Sequence, residues 1–317
     1  MFRIVEKRRI YFLISGLIIL IGLISMIYST ATTGAPFRLA IDFTGGSIWQ
    51  LQFDQPVPTE DLRSVFTANG IQDPAVTTLG DGSALQVRLE PIDETQKAQL
   101  FSAVQAKYPT VTELQFSSVG PAIGREVTQA ALLAILAAAV VILGFMVFAF
   151  RKVAHPIRYG AVAIVAMFHD LLLVLGLFSI VSLVLGWQAD ALFLTALLTV
   201  ISFSMQDKIV VFDRIRENAP KYRGESFADI ANRSIMETIH RSLATQLNAI
   251  FIMVSILLFG GATIKQFIAV MLVGLLSGTY SSIFIAVPML VGWTEKDWLG
   301  RKTATNGSGS TQVQPLA

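Results

Sequence analysis

Six apolar runs dominate this sequence, each long enough to cross a bilayer as a helix. A hydrocarbon core of about 30 Å needs about 20 apolar residues in α-helical form. Ile10–Tyr28, Val127–Phe150, Ile157–Leu185, Ala191–Phe212, Ile239–Phe259 and Phe267–Val291 all approach or exceed that length. Charged residues are only 15% of the 317-residue chain, where soluble domains carry about a quarter, and the deficit is concentrated in these runs. The sequence therefore predicts a multi-pass membrane protein. The first run follows "MFRIVEKRR". It is longer than a signal-peptide core of about 7–15 residues and has no convincing cleavage site, so it is expected to be an uncleaved anchor.

Basic residues between the runs set the expected orientation. Arg3, Lys7, Arg8 and Arg9 precede the first. Arg151, Lys152 and Arg158 follow the second, and Arg214, Arg216, Lys221, Arg223 and Arg233 follow the fourth; Lys296, Arg301 and Lys302 follow the sixth. The alternate connections "GWQAD" and "GGATIKQ" hold one lysine between them. Both termini (1–9 and 296–317) and a connection at 213–236 are thus expected on the cytoplasmic side. The segment 31–126 is expected outside, and residues 127–295 form the remaining five-helix membrane domain. A net charge of +2 gives no basic surface for nucleic acid. The absence of cysteine excludes disulfides, thiolate nucleophiles and zinc–thiolate sites.

The outer segment reads as a small α+β domain. "SIWQLQF" alternates like a strand. "PTEDLRSVFTANG" opens on proline and acids and closes on glycine, as helices do. "AVTTLGDGSALQVRLE" is a hairpin around Gly80-Asp81-Gly82. "DETQKAQLFSAVQAKYP" is a second helix with Leu100, Ala103 and Val104 on one face, and "TVTELQF" alternates again. The order strand, helix, strand, strand, helix, strand is that of a split βαβ, ferredoxin-like domain. It holds no histidine and its acids are scattered, which favours a module that touches another polypeptide over a hydrolase.

"IDFTGG" (Ile41 to Gly46), "SVGPAIGREV", "FHD", "VVFDRIREN", "NRSIMETIHRSLATQ" and "GTYSSIFIAVPML" occur in that order along the chain. Together they resemble the SecF family, the smaller membrane subunits of the bacterial SecD–SecF protein-export factor, related to the resistance-nodulation-division (RND) transporters. The resemblance implies an RND-type set of six transmembrane helices, pairing with SecD, and location in the bacterial cytoplasmic (inner) membrane. It also implies assistance to the SecYEG translocon, with YajC and YidC as further candidate partners and an unfolded polypeptide in transit. The family draws on the proton-motive force, so no enzymatic activity and no cofactor are expected; H⁺ is the expected coupling ion, with Na⁺ the alternative. No glycine-rich phosphate loop is present in the sequence.

Two acids stand inside the apolar runs. An aspartate at a membrane helix centre costs about 2.5–3.5 kcal/mol on insertion scales, and such residues are paired, line polar cavities or carry protons. Asp207 lies six residues before Asp213, so about 9 Å inside the helix end at about 1.5 Å per residue. Arg241 reaches a comparable depth in the next run, and the two are expected to meet between adjacent helices. Asp170, in the third run, completes an acid–base–acid set. By resemblance, Asp207 and Arg241 fall at the family's proton-relay positions, and Asp170 belongs to its polar third-helix motif. A static ion network holding the helices in register is the competing reading.

Lys208 departs from the family pattern, which has a small hydroxyl residue there. Adjacent helical positions point about 100° apart, so Asp207 is not automatically its partner. Snorkelling to the interface, pairing with an acid of SecD, or holding Asp207 ionised are the alternatives. His169 could extend a polar network at Asp170, whereas His155 and His240 have no partners at metal-ligand spacing. Gly45-Gly46 marks a tight turn or hinge where the outer strand begins. Gly274 and Gly278 permit close helix packing, and Pro288 is expected to kink the sixth helix. The stretch Arg214–Ile235 reads as a basic connection, and the Gly/Ser/Thr-rich tail as disordered. Two other function classes remain: an RND-type transporter half exporting a small or lipidic molecule, and a passive translocon-stabilising subunit.

Overall fold

The computed structural model describes residues 3–80, 82–153 and 155–298; Asp81 of the expected hairpin turn and residues 299–317 of the expected tail lie outside them. A 3₁₀ turn at Val5–Lys7 leads into α1 (Arg8–Thr33). Then follow α2 (Ile41–Thr44), β1 (Gly46–Gln52), α3 (Thr59–Ala68), β2 (Ala75–Leu79), β3 (Ala84–Leu89), α4 (Glu94–Lys107) and β4 (Thr112–Val119). The long helices are α5 (Pro121–Ala149), α6 (Pro156–Leu185), α7 (Ala191–Asn218), α8 (Phe227–Phe259) and α9 (Ala262–Ser281). A π-helical turn (Ser282–Ala286) joins α9 to α10 (Val287–Glu295). The chain divides into one compact unit of residues 1–38 and 134–317 and a second of residues 39–133.

The second unit is a four-stranded antiparallel sheet in the order β2-β3-β1-β4 with two helices. Alternation in β1 buries Trp49 and Leu51, whose neighbours across the sheet include the buried Leu85 and Val87 of β3. Leu62 and Phe66 of α3 and Leu100 and Val104 of α4 close the same core. Helix α3 begins after Pro58 with Glu60 and Asp61 in its first turn, where acids favour the positive end of the helix dipole. Helix α4 starts at a capping box: the Gln96 amide donates to the Asp93 carboxylate at 2.8 Å, and the Asp93 amide to the Gln96 side chain at 3.2 Å. The Trp49 indole N–H is satisfied by Glu113 Oε2 at 3.0 Å.

Gly45 (φ 71°) and Gly46 (φ 125°) form the turn into β1. A Cβ on Gly45 would stand 2.9 Å from Pro121 Cα, and one on Gly46 2.9 Å from the Leu89 carbonyl. Both backbone angle and space demand glycine here.

Among the described residues, six helical spans are long and apolar enough to cross a membrane: Val5–Thr33, Pro121–Ala149, Pro156–Leu185, Ala191–Asn218, Phe227–Phe259 and Ile264–Glu295. Three are interior. In α6, α7 and the α9–α10 span, 44%, 50% and 56% of the most apolar stretch is buried, against 11% for α1 and α5 and 17% for α8. The charge-bearing helices α6 and α7 are thus the ones sequestered by protein.

Small residues set the spacing. A Cβ on Gly22 of α1 would lie 2.7 Å from Gly176 Cα of α6, and the Ser25 and Ser179 hydroxyls are 3.0 Å apart beside it. On α9, a Cβ on Gly274 would collide with Val200 Cγ2, and one on Gly278 would stand 2.9 Å from Ser204 Cα. The expected glycine pair therefore packs against α7 of its own chain. Pro288 has no N–H to return to the previous turn, and the backbone there widens to a π-helical turn immediately before α10.

Helical structure extends into two of the expected connecting segments. Within 213–236, α7 runs on to Asn218 and α8 begins at Phe227, leaving 219–226 between the helices. Charged and polar pairs carry both helices past the apolar run: Arg214 with Glu217 and Glu237, Arg216 with Asp213, and Asn218 with Ser234. The Ser226 hydroxyl caps α8 by accepting from the Asp229 amide at 3.1 Å. Similarly, the tail expected from residue 296 starts folded. The Asp297 amide bonds the Gly292 carbonyl, and the Asp297 carboxylate pairs with the buried Arg8 at 3.1 Å.

Candidate functional site

Asp170 lies on α6 and is 1% exposed, while Lys208, on α7, is 0% exposed. Their side chains meet: Lys208 Nζ donates to Asp170 Oδ2 at 2.8 Å. Three hydroxyls complete the shell. Ser204 and Ser281 donate to Asp170 Oδ2 at 2.6 and 2.7 Å, and Ser277 donates to Oδ1 at 2.8 Å. His169 Nδ1 is 3.1 Å from Oδ1. Donors from α6, α7 and α9 thus converge on one carboxylate.

The direction of Lys208 follows from helix geometry. Side chains lean toward the helix N-terminus, and Lys208 lies back over the preceding turn, donating to the Ser204 carbonyl at 3.0 Å. It turns away from the Asp213 end of the helix and into the bundle. Snorkelling toward that end is therefore not what this side chain does, and its acidic partner lies in its own chain.

Asp207, one residue earlier, points elsewhere, as the 100° step requires. Its Oδ2 accepts from Gln246 Nε2 of α8 at 2.7 Å. It is 4% exposed and makes no ion pair among the described residues. Arg241 is exposed on α8, and the expected Asp207–Arg241 meeting is not seen. The two differ in facing: Gln246, five residues further along α8, takes the position against α7 while Arg241 points away. The three expected relay residues are therefore divided among an ion-paired acid (Asp170), an acid on a neutral donor (Asp207) and an exposed base (Arg241).

Of the remaining candidates, His169 touches the network, His155 precedes α6 without a capping side-chain hydrogen bond and His240 is exposed. No cluster of metal-ligating residues occurs among the described residues. Sequence reasoning missed Ser204, Ser277, Ser281 and Gln246. Ser204 stands four residues before Lys208, so it shares its face. Ser281 lies within "GTYSSIFIAVPML" and Gln246 closes "NRSIMETIHRSLATQ", but serine and glutamine in apolar helices are common enough to carry no signal by themselves.

A bundle of six long apolar helices with a buried acid–base pair and a second interior acid, with a small sheet domain between its first two spans, has the build of a multi-pass membrane protein. Residues 99–296 match the family described as "Protein export membrane protein SecD/SecF, C-terminal", and residues 30–57 match the "SecD/SecF GG Motif". The chain belongs to the SecD/SecF family.

Similar proteins agree along nearly the whole length. The protein translocase subunit SecF of Thermobaculum terrenum is 45% identical over 310 residues, covering 94% of this chain and 96% of that protein. The SecF of Anaerolinea thermophila is 46% identical over 303 residues, again covering 94% and 96%. The crystal structure of SecDF from Thermus thermophilus, a translocon-associated membrane protein, superposes with a TM-score of 0.76 at 29% identity over 93% of this chain. This chain spans 39% of that longer one.

Proposed function

We propose that this chain is the SecF-type accessory subunit of a Sec translocase, working beside a SecD-type half to promote polypeptide export across the cytoplasmic membrane at the expense of the proton-motive force. Under this reading both termini face the cytoplasm, and residues 31–126 form an extracytoplasmic domain of ferredoxin-like type on an RND-type helix bundle. The sheet order β2-β3-β1-β4 and the placement of α3 and α4 support that fold assignment. The partner set is SecD and SecYEG, with YajC and YidC as further candidates.

Asp207 is the proton carrier, and the observation that carries this assignment is its contact with Gln246. A primary amide can donate to a carboxylate or accept from a carboxylic acid, so it serves both protonation states of the acid. Lys208, the neighbouring cation, directs its ammonium to Asp170 and makes no direct ion pair with Asp207. Arg241, exposed on α8, is left available to an acid or to the partner half. One elementary charge moving through 100 mV releases about 2.3 kcal/mol, enough to bias a two-state helix arrangement that responds to protonation.

The test is export into membrane vesicles reconstituted with the partner half. Asp207→Asn abolishes the gradient-dependent share of export, and Asp207→Glu retains part of it. Undiminished gradient-dependent export by Asp207→Asn would leave only a structural role.

For Asp170 a specific observation favours the static reading. Its carboxylate already holds Lys208 and three hydroxyls, which is the arrangement of a permanent ion pair joining three helices.

A further inference from the structure

Four oxygens surround the Lys208 ammonium. Its Nζ is 2.8 Å from Asp170 Oδ2, 2.6 Å from Ser204 Oγ, 3.0 Å from the Ser204 carbonyl and 2.9 Å from Ser281 Oγ. An ammonium has three N–H donors, one fewer than the oxygens in reach. The serines explain the surplus. Ser204 and Ser281 spend their hydroxyl protons on Asp170 Oδ2, which turns their lone pairs toward the nitrogen. One carboxylate oxygen, one carbonyl and two hydroxyl oxygens facing a common point form the oxygen cage that hard and alkali cations take. Ser204, Lys208 and Ser281 are 0% exposed, so the cage is closed to bulk water.

We propose that Asp170, Ser204 and Ser281 build a monovalent-cation site whose resident ion, in this chain, is the protein's own lysine ammonium. The cage demands one positive charge, because an isolated buried carboxylate is strongly unfavourable. Lys208 supplies that charge permanently and brings it on a stem that enters from the same helix as Ser204. A free alkali ion is thereby excluded from Asp170 for as long as the lysine is there. Truncating the lysine leaves the carboxylate, the hydroxyls and an opening of the right size, and the site passes to Na⁺ or K⁺. The inference stands on the cage alone and does not depend on Asp207 carrying protons.

Thermal unfolding of the purified full chain in detergent tests it, with NaCl, KCl and choline chloride compared at equal ionic strength. The unmodified chain melts at the same temperature in all three. Lys208→Ala gains an upward shift of roughly 5 °C in an alkali salt over choline. Asp170→Asn combined with Lys208→Ala abolishes that shift, and Lys208→Met, which keeps most of the stem's volume without charge, does not acquire it. A Lys208→Ala chain that responds to alkali salts no more than the unmodified one overturns the proposal, as does an equal response in the double variant. Failure to recover folded Lys208→Ala from K⁺-rich cells also counts against it, since cellular K⁺ should fill the cage.

Discussion

Asp170 on α6 and Lys208 on α7 form an ion pair at 2.8 Å in the interior of the bundle, 38 positions apart in the chain. Asp207, the immediate neighbour of Lys208, faces α8 and takes its hydrogen bond from Gln246 at 2.7 Å. One helix therefore presents two charged residues to two different environments: one fully neutralised by an opposite charge, the other held by a neutral amide. This separation is the geometric basis of the proposed division of roles between the two acids.

Breaking the buried pair is expected to be costly, because the surviving partner is left as an uncompensated charge. In choline buffer, Lys208→Met or Asp170→Asn should each lower stability by about 3–5 kcal/mol. Asp170→Asn combined with Lys208→Met should recover much of that loss. Denaturation of the purified single and double variants gives the coupling directly. Additive losses would mean the two residues do not act as a pair.

Gln246→Leu removes the neutral donor while keeping the size of the side chain similar. Export driven by the ion gradient should fall toward the level of Asp207→Asn, with a stability loss of about 1 kcal/mol for the lost bond, since Thr279 and Ser242 still hydrogen-bond the carboxylate. Vesicle assays with and without an imposed gradient separate the two effects. Retention of the gradient-dependent component would remove Gln246 from the relay.

The α7–α9 seam tolerates no extra atom at residue 274. Gly274→Ala sets its Cβ into Val200, and overpacking of this kind typically costs about 1–3 kcal/mol. Val200→Ala in the same chain should restore most of the melting temperature. If Gly274→Ala alone melts like the parent, the seam is looser than the contact distances indicate.

In the sheet unit, Trp49 is fully buried and packs against Phe66, Phe101 and Phe116. Trp49→Ala should destabilise that unit by about 3–5 kcal/mol and speed proteolysis within residues 39–133. Trp49→Phe, which loses only the indole bond to Glu113 and some volume, should cost less. Cleavage-site mapping reads the difference.

Much of this architecture is local in origin and was legible early. Hydropathy marks spans because an unpaired peptide group in hydrocarbon is prohibitive, so a long apolar run has one stable choice, the helix. Alternation in "SIWQLQF" and the glycine signals around Gly80 and Gly82 place β1 and the β2–β3 hairpin for a similar reason: each depends on residues a few positions apart. Their place inside apolar runs singled out the acids. Comparable depth in neighbouring runs led to the expectation of an Asp207–Arg241 contact, which facing on α8 does not allow, and helix ends set by apolarity alone missed the charged turns at Asn218 and Phe227.

The sequence by itself determined the six spans, the intervening sheet unit and the presence of costly charge inside the membrane, because these follow from composition and short-range periodicity. Only the tertiary structure decided which charge meets which. The partners of Asp170 come from α7 and α9, up to 111 positions away, and contact over that separation is fixed by how glycines 22, 176, 274 and 278 let the helices approach and rotate. Pairing energies inside a bundle depend on that geometry, which no local stretch of sequence contains.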